Sequence, residues 1–174
     1  MRKLILTMVM VAAIGMAGLA QIRIPETPVS FKFPNGGWKY LNTISIDKNK
    51  VAYLYSYCGK YVTDQQGDTI LPHLRIYVER NYTGSLYMLA YLRYTNEPYQ
   101  SLSESTGDME GVENYSIIGA YTNFDDRKDY QFRMMYFKVK NTVYEFRRET
   151  TRDTYEQFED EFNEIIKSIS VSGN

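Results

Sequence analysis

Residues 130–170 read YQFRMMYFKVKNTVYEFRRETTRDTYEQFEDEFNEIIKSIS, and the architecture is built around them. The first part alternates like strands. Tyr130, Phe132, Met134 and Tyr136 share one face, while Phe137 and Val139 fall on the other phase. Such a strand either carries a bulge or is covered on both faces. Lys140-Asn141 suits a tight turn, and Val143 to Glu149 returns with Tyr144 and Phe146 on one face. The second part changes period. Tyr155, Phe158, Phe162, Ile165, Ile166 and Ile169 fall on one stripe of a single long helix. Asp153 or Thr154 caps it, with Glu156 and Gln157 three residues on from each. Acidic residues crowd its positive end and Lys167 sits near its negative end. A stripe this apolar needs a flat apolar surface, and the preceding hairpin offers part of one. Ser168 to Val171 adds a last short strand.

Upstream of this block the chain reads as short strands joined by turns. Gln21 to Pro28 is a polar, extended lead-in. Val29 to Phe33 is a strand that breaks at Pro34-Asn35-Gly36-Gly37. Trp38 to Ile46 and Val51 to Tyr57 follow around the polar turn Asp47-Lys48-Asn49-Lys50, and the three strands form an antiparallel meander. Tyr61-Val62-Thr63 pairs briefly beside the turn at Asp64 to Asp68, and Leu74 to Glu79 is a further strand. Ser85 to Tyr94 lacks any β-branched residue and is rich in helix formers, so it is taken as a helix capped by Thr83 or Ser85. A buried strand shows a similar apolar run. Thr95 to Gly111 reads as a polar loop, and Glu113 to Tyr121 returns to strand. The sum is α+β, an antiparallel sheet of about seven strands with helices packed on it.

The N-terminus reads as an export signal. Arg2 and Lys3 precede an apolar run from Leu4 to Met16, and Gly18-Leu19-Ala20 offers a cleavage end with Gln21 first in the mature chain. Residues 21–174 then form one domain, with 21–28 as its lead-in and 29–174 as its body. The expected location is periplasmic or extracellular, with no stable membrane anchor after cleavage. The formal net charge is −1, and charges of both signs are interspersed, which argues against a nucleic-acid partner. A single cysteine excludes an internal disulfide, so stability rests on packing. The 17 tyrosines and 8 phenylalanines supply the area.

Residues that carry chemistry are sparse. Cys58 and His73 are the sole cysteine and histidine: a nucleophilic dyad needs them adjacent in space beside an oxyanion hole, and one of each is too few for a zinc site. Asp125, Asp126 and Asp129 lack the alternating ligands and glycine of a calcium loop, and read as a solvated hairpin tip. Glu104, Asp108, Glu110 and Glu113 offer carboxylates for sugar hydrolysis but lie in an unpatterned stretch. No metal and no cofactor are expected. The tyrosines say more. Tyr53, Tyr55 and Tyr57 share a strand face, and Tyr87 and Tyr91 share a helix face. They form either a tyrosine-rich core or a ligand or partner surface, where an apolar ring with a polar tip is useful. Asp68-Thr69-Ile70 is similar to an O-glycosylation tripeptide of some Gram-negative envelope bacteria, which makes Thr69 a candidate acceptor.

Phe31-Lys32-Phe33-Pro34-Asn35-Gly36-Gly37-Trp38 resembles the strand, proline, glycine and tryptophan opening of the PsbP-like superfamily. The ending is similar too: a long hairpin, a helix with Phe158, Phe162, Ile165 and Ile166, then Ser168 leading into a short strand. The resemblance covers most of residues 21–174 and rests on packing features. It implies an α/β/α sandwich with an antiparallel sheet between helices. It also implies a mostly non-enzymatic company: extrinsic photosystem subunits, a nuclear-transport GTPase regulator and bacterial envelope proteins. It carries no shared active-site residues to transfer. The function expected is therefore an exported, non-catalytic binding or accessory protein, contacting an envelope protein or a small ligand. The alternative is an envelope hydrolase using Cys58 and His73 or an acidic pair.

Overall fold

The computed structural model describes residues 21–59, 61–95, 100–105, 109 and 112–172. The proposed signal segment lies outside them. In chain order the strands are β1 (Gln21–Arg23), β2 (Val29–Lys32), β3 (Trp38–Ser45), β4 (Lys50–Tyr57), β5 (Val62–Thr63), β6 (Thr69–Ile70) and β7 (His73–Glu79). Helix α1 (Leu86–Thr95) follows, then β8 (Gln100–Ser105), β9 (Asn114–Asn123), β10 (Lys128–Val139) and β11 (Thr142–Thr151). A 3-10 helix (Arg152–Phe158), helix α2 (Glu159–Lys167) and β12 (Ser170–Val171) close the chain. These elements divide between two compact units. The larger runs from Trp38 to Phe158, and the smaller joins the chain's two ends, through Gly37 and from Glu159. Every strand pair is antiparallel, and helices lie on the sheets, so the fold is α+β.

The larger unit is a seven-stranded sheet in the order β3-β4-β7-β11-β10-β9-β8. Its centre is the β10–β11 hairpin, which pairs without interruption from Tyr130↔Thr151 to Val139↔Thr142. The turn is the two residues Lys140 and Asn141, and Lys140 adopts a positive φ of 54°. No bulge intervenes. Met134, Met135, Tyr136 and Phe137 are consecutive and all buried, so both faces of β10 are covered. On one face α1 lays Leu86 and Ala90 over Ile117, Phe132, Met134, Tyr136 and Val143. Gly119 of β9 stands opposite Phe132, whose ring fills the space a Cβ would need. On the other face the 3-10 helix contacts β10 and β11. Tyr155 and Phe158 are buried, and the wholly buried Arg148 lies 3.9 Å over the Tyr155 ring. Its guanidinium donates to the Tyr155 carbonyl.

The smaller unit is the sheet β1-β2-β12 with α2 beside β2. Gln21 Nε2 donates to Ser30 Oγ and to Ser170 Oγ at 2.6 and 2.8 Å, stitching all three strands. The Ser168 hydroxyl accepts from Lys32 N at 2.8 Å and donates to the Ile165 carbonyl at 2.6 Å, closing the helix as it leads into β12. Phe162 and Ile165 of the apolar stripe are fully buried.

Four expectations change. The lead-in is not merely extended, because Gln21–Arg23 pairs with β2. Val29–Lys32 does not continue a meander into β3. It joins the strands from the two chain ends, and the Pro34–Gly37 break redirects the chain before β3. The stretch read as a polar loop contains β8, an edge strand paired to β9. Main-chain pairing made that strand, since Gln, Ser and Glu have little side-chain preference for it. Residues 96–99, 106–108, 110 and 111 of the same stretch lie outside the described residues. The long helix is divided, with a 3-10 run before α2 and Ile169 beyond its end. The Thr154 hydroxyl bonds Thr150 and Thr151 side chains at 2.7 and 2.8 Å and the Thr151 carbonyl at 3.1 Å. Such local bonds compete with the α-helical ladder and favour a tighter first turn.

Candidate functional site: the outer face of helix α1

Helix α1 starts where Ser85 Oγ accepts the Met88 N–H at 3.4 Å, a serine cap on the third helical residue. Its entry is braced from below. Tyr82 OH donates to the Ser85 carbonyl at 3.1 Å, and Lys138 Nζ donates to the Gly84 carbonyl at 3.0 Å. The helix is apolar nearly all round, and one face suffices to cover the sheet. Leu86 and Ala90 go inward. Tyr87, Met88, Tyr91 and Leu92 stay outside, each close to half exposed. Tyr87 and Tyr91 lie one turn apart with ring centroids 6.1 Å apart and planes 21° apart. Tyr115 of β9 meets Tyr87 edge-on at 5.5 Å. The result is an ordered aromatic shelf rimmed by two aliphatic side chains. A helix with no polar face normally has something on both sides.

The candidate tyrosines thus separate. Tyr53 and Tyr55 are 8% and 7% exposed and belong to the interior, whereas Tyr87 and Tyr91 are 50% and 47% exposed. Both faces of β4 are covered, which takes Tyr53 and Tyr55 out of reach of a partner. Burial pushes the Tyr55 hydroxyl up to about 12, with Tyr40 and Tyr53 adding to the shift. Tyr57 is half-buried between Trp38 and Phe158, edge-on to each at 5.6 and 5.5 Å. Tyr115, Met88 and Leu92 were missed from the sequence. The last two follow from helical spacing, since each stands one residue after a tyrosine of the shelf.

Cys58 is exposed, and its thiol faces the Ser56 carbonyl at 3.8 Å. The His73 imidazole is engaged with the Tyr55 main chain, and burial and then Arg75 lower its pKa against the pull of Glu149. The carboxylates of the β9–β10 turn diverge. Asp126 takes the Tyr130 hydroxyl at 2.7 Å, and Asp129 takes the Thr122 hydroxyl at 2.7 Å. Among the described residues no group of His, Cys, Asp and Glu has the geometry to hold a metal. Lys128 is clasped instead by Asp64 and by Asp68, the latter at 2.6 Å, beside a polar cleft of about 380 Å³. That contact lowers the Asp64 pKa and raises that of Lys128. Thr69 is exposed on β6 of the same small hairpin, next to Asp68. Asp108 and Glu110 lie outside the described residues, and Glu113 is exposed.

One charged network had no sequence signal. Glu149 Oε2 accepts from Arg147 at 2.7 and 3.1 Å, and its Oε1 accepts from Tyr121 OH at 3.0 Å with Arg75 at 3.9 Å. Burial first, then Glu149, raises the Tyr121 pKa. Arg147 also lies 5.2 Å over the Phe132 ring. The groups on the two Glu149 oxygens come from β7, β9 and β11, an arrangement that fastens a sheet face.

No protein-family model matches the chain, and no curated protein matches its sequence. Solved structures do match its fold. LpqN of Mycobacterium tuberculosis, described as involved in cell envelope biogenesis, is 12% identical with a TM-score of 0.60, over 88% of this chain and 90% of that one. The cyanobacterial PsbP, CyanoP, of Synechocystis sp. PCC 6803 is 13% identical with a TM-score of 0.59, over 91% and 95%. The Ran-binding protein Mog1p of Saccharomyces cerevisiae is 9% identical with a TM-score of 0.54, over 87% and 94%. The chain has the PsbP-like fold, also called the Mog1 fold, as its opening and closing segments implied. At these identities the likeness is one of fold. No helix among the described residues is long and apolar enough to cross a membrane.

Proposed function

We propose that this chain is an exported, non-catalytic accessory protein that docks an envelope protein on the outer face of α1. The observation that carries the reading is the shelf itself. Tyr87 and Tyr91 are stacked, held from the side by Tyr115, and left half exposed beside Met88 and Leu92. Large amphipathic rings that are already ordered lose little conformational freedom on binding, and tyrosine is enriched where protein surfaces meet. The partner is a protein with an apolar surface, because the shelf offers ring faces and aliphatic ends and few charges. Export is supported by the charged start, apolar run and small-residue end of Met1–Ala20, and by the envelope role described for LpqN, which shares the fold. Thr69, exposed beside Asp68, is the candidate acceptor for a glycan.

The test is cross-linking and affinity recovery from envelope extract, comparing the native chain with Tyr87→Ser/Tyr91→Ser. The double variant is expected to keep its fold and lose the co-purifying protein. Recovery of the same protein by a folded double variant rejects the shelf as the docking face. N-terminal sequencing of the chain purified from the envelope is expected to begin at Gln21, and its mass to exceed that of residues 21–174 if Thr69 carries sugar.

A further inference from the structure

The polar cleft of about 380 Å³ opens where three segments of the larger unit meet. They are the β5–β6 turn, the β9–β10 turn with the start of β10, and the step from β11 into the 3-10 helix. Each gives three lining residues, and every one of the nine has a polar side chain. The walls are tied to one another. Lys128 of the second segment reaches Asp64 and Asp68 of the first. The Gln65 N–H of the first is taken by Asp153 Oδ2 of the third at 2.5 Å. These ties shape the cleft in the free chain, so little further order has to be imposed when a guest enters. Four side chains on the walls take no part in them. Gln65, Gln66, Arg127 and Arg152 are exposed, and none makes a side-chain hydrogen bond or ion pair with the described residues. The two arginines stay unpaired although Asp129 and Asp153 line the same cleft.

From this cleft we infer a binding site for a small neutral saccharide. Charge narrows the guest first. Asp64, Asp129 and Asp153 stand against Arg127, Lys128 and Arg152, so the lining sums to zero. An anion meets the carboxylates and a cation meets the guanidiniums, and no net field of the lining draws in either. The lack of apolar lining removes the contact on which most small-molecule sites rely. What remains is a neutral guest studded with hydroxyls, each of which both donates and accepts. The four unpartnered side chains suit that pattern. A guanidinium presents parallel N–H groups, and a carboxamide presents N–H donors beside a carbonyl oxygen, so each can engage two neighbouring hydroxyls of a sugar ring. Asp129 and Asp153 accept the Thr122 hydroxyl and the Gln65 N–H through one oxygen each, and the second oxygen of each can take a hydroxyl proton. The volume lies at the small end of the range for small-molecule sites, which suits a guest of one or two sugar rings. The cleft is separate from the α1 shelf. Tyr115 pairs with Tyr136 toward one end of β9 and β10, and Asn123 pairs with Lys128 at the other. Sugar binding therefore stands or falls apart from docking at α1.

The experiment is a magnetic-resonance titration of the isotope-labelled protein, expressed from Met1 and purified as the cell delivers it. The probes are maltose, cellobiose, lactose and chitobiose, each taken to tens of millimolar. Glucuronate and spermidine serve as the anionic and cationic comparisons. Saturable shifts are expected at the amides of Gln65, Gln66, Arg127 and Arg152 with at least one of the sugars, and none at Tyr87 or Tyr91. Gln66→Ala and Arg152→Ala are each expected to weaken that binding about fivefold or more, as loss of a side chain's hydrogen bonds does. Arg152→Lys is expected to stay weak, because an ammonium keeps the charge and loses the fork. Both positions are exposed and their side chains unpartnered, so circular dichroism is expected to be unchanged. No saturable shift with any of the four sugars overturns the inference. So does binding of glucuronate or spermidine without binding of a sugar, and so does sugar binding undiminished in both alanine variants.

Discussion

Tyr55 in β4 and Tyr91 in α1 are the same side chain put to opposite uses. Tyr55 lies inside, on a strand with sheet on both sides and cover on both faces. Tyr91 lies outside, on a helix that covers the sheet below it with Leu86 and Ala90 and the partly buried Leu89. The difference lies in what each backbone leaves uncovered. A central strand has two faces to fill, so every large side chain is drawn in. A single helix on a sheet has one face to fill, and its remaining apolar residues stay exposed unless something else arrives.

The comparison breaks most sharply at Tyr55. Tyr55→Ala is expected to cost roughly 3 kcal/mol, as large-to-small changes of buried aromatics do. Urea titration followed by circular dichroism checks it. Partner recovery should fall only with the folded fraction. Gly119→Ala comes next, because the Phe132 ring occupies the space above it. Overpacking there is expected to cost about 2 kcal/mol and to lift α1 from the sheet, read as a lower melting temperature with weaker partner recovery.

Alkali sharpens the contrast more gently. Tyr55 is raised from an ordinary 10.0 to about 12 in the folded chain. Its contribution to stability is complete below pH 10 and is lost as pH rises through that interval. Absorbance of ionised tyrosine should therefore show its step coinciding with loss of structure. The same sign holds for Tyr130, raised to about 12 by burial and by its bond to Asp126. The smallest effect belongs to the shelf. Tyr91→Ser alone should change stability by about 0.5 kcal/mol or less, and still reduce partner recovery. A large loss of stability there means the shelf is structural.

Much of this was legible in residue order. The absence of β-branched residues in Ser85–Tyr94 identified α1, and the two periods of residues 130–170 identified the hairpin and the stripe that buries Phe162 and Ile165. The likeness in fold to PsbP followed from the proline, glycine and tryptophan opening and from Ser168 at the end. What stayed hidden was whatever depends on distant pairing. Nothing local in Val29–Lys32 says that its partners are Gln21–Arg23 and Ser170–Val171. Nothing in Gln100–Ser105 says that β9 needed a neighbour. Tyrosine itself is ambiguous, since ring and hydroxyl suit interior and surface alike, so its side was settled by the cover over each element. Arg148 is the extreme case. A guanidinium is rarely buried, and the Tyr155 ring and carbonyl that host it lie in the next element.

The Lys128 ammonium between Asp64 and Asp68 gives the β5–β6 hairpin a built-in counter-ion. Where many surface loops borrow calcium from their surroundings, this one brings its own cation on a covalent tether. Its order should be blind to chelators and to the divalent content of any medium it enters. Acid alone should undo it. The Asp64 carboxyl is held below its ordinary 3.8, so the clasp is whole above that pH and is given up only as protons reach Asp64 itself.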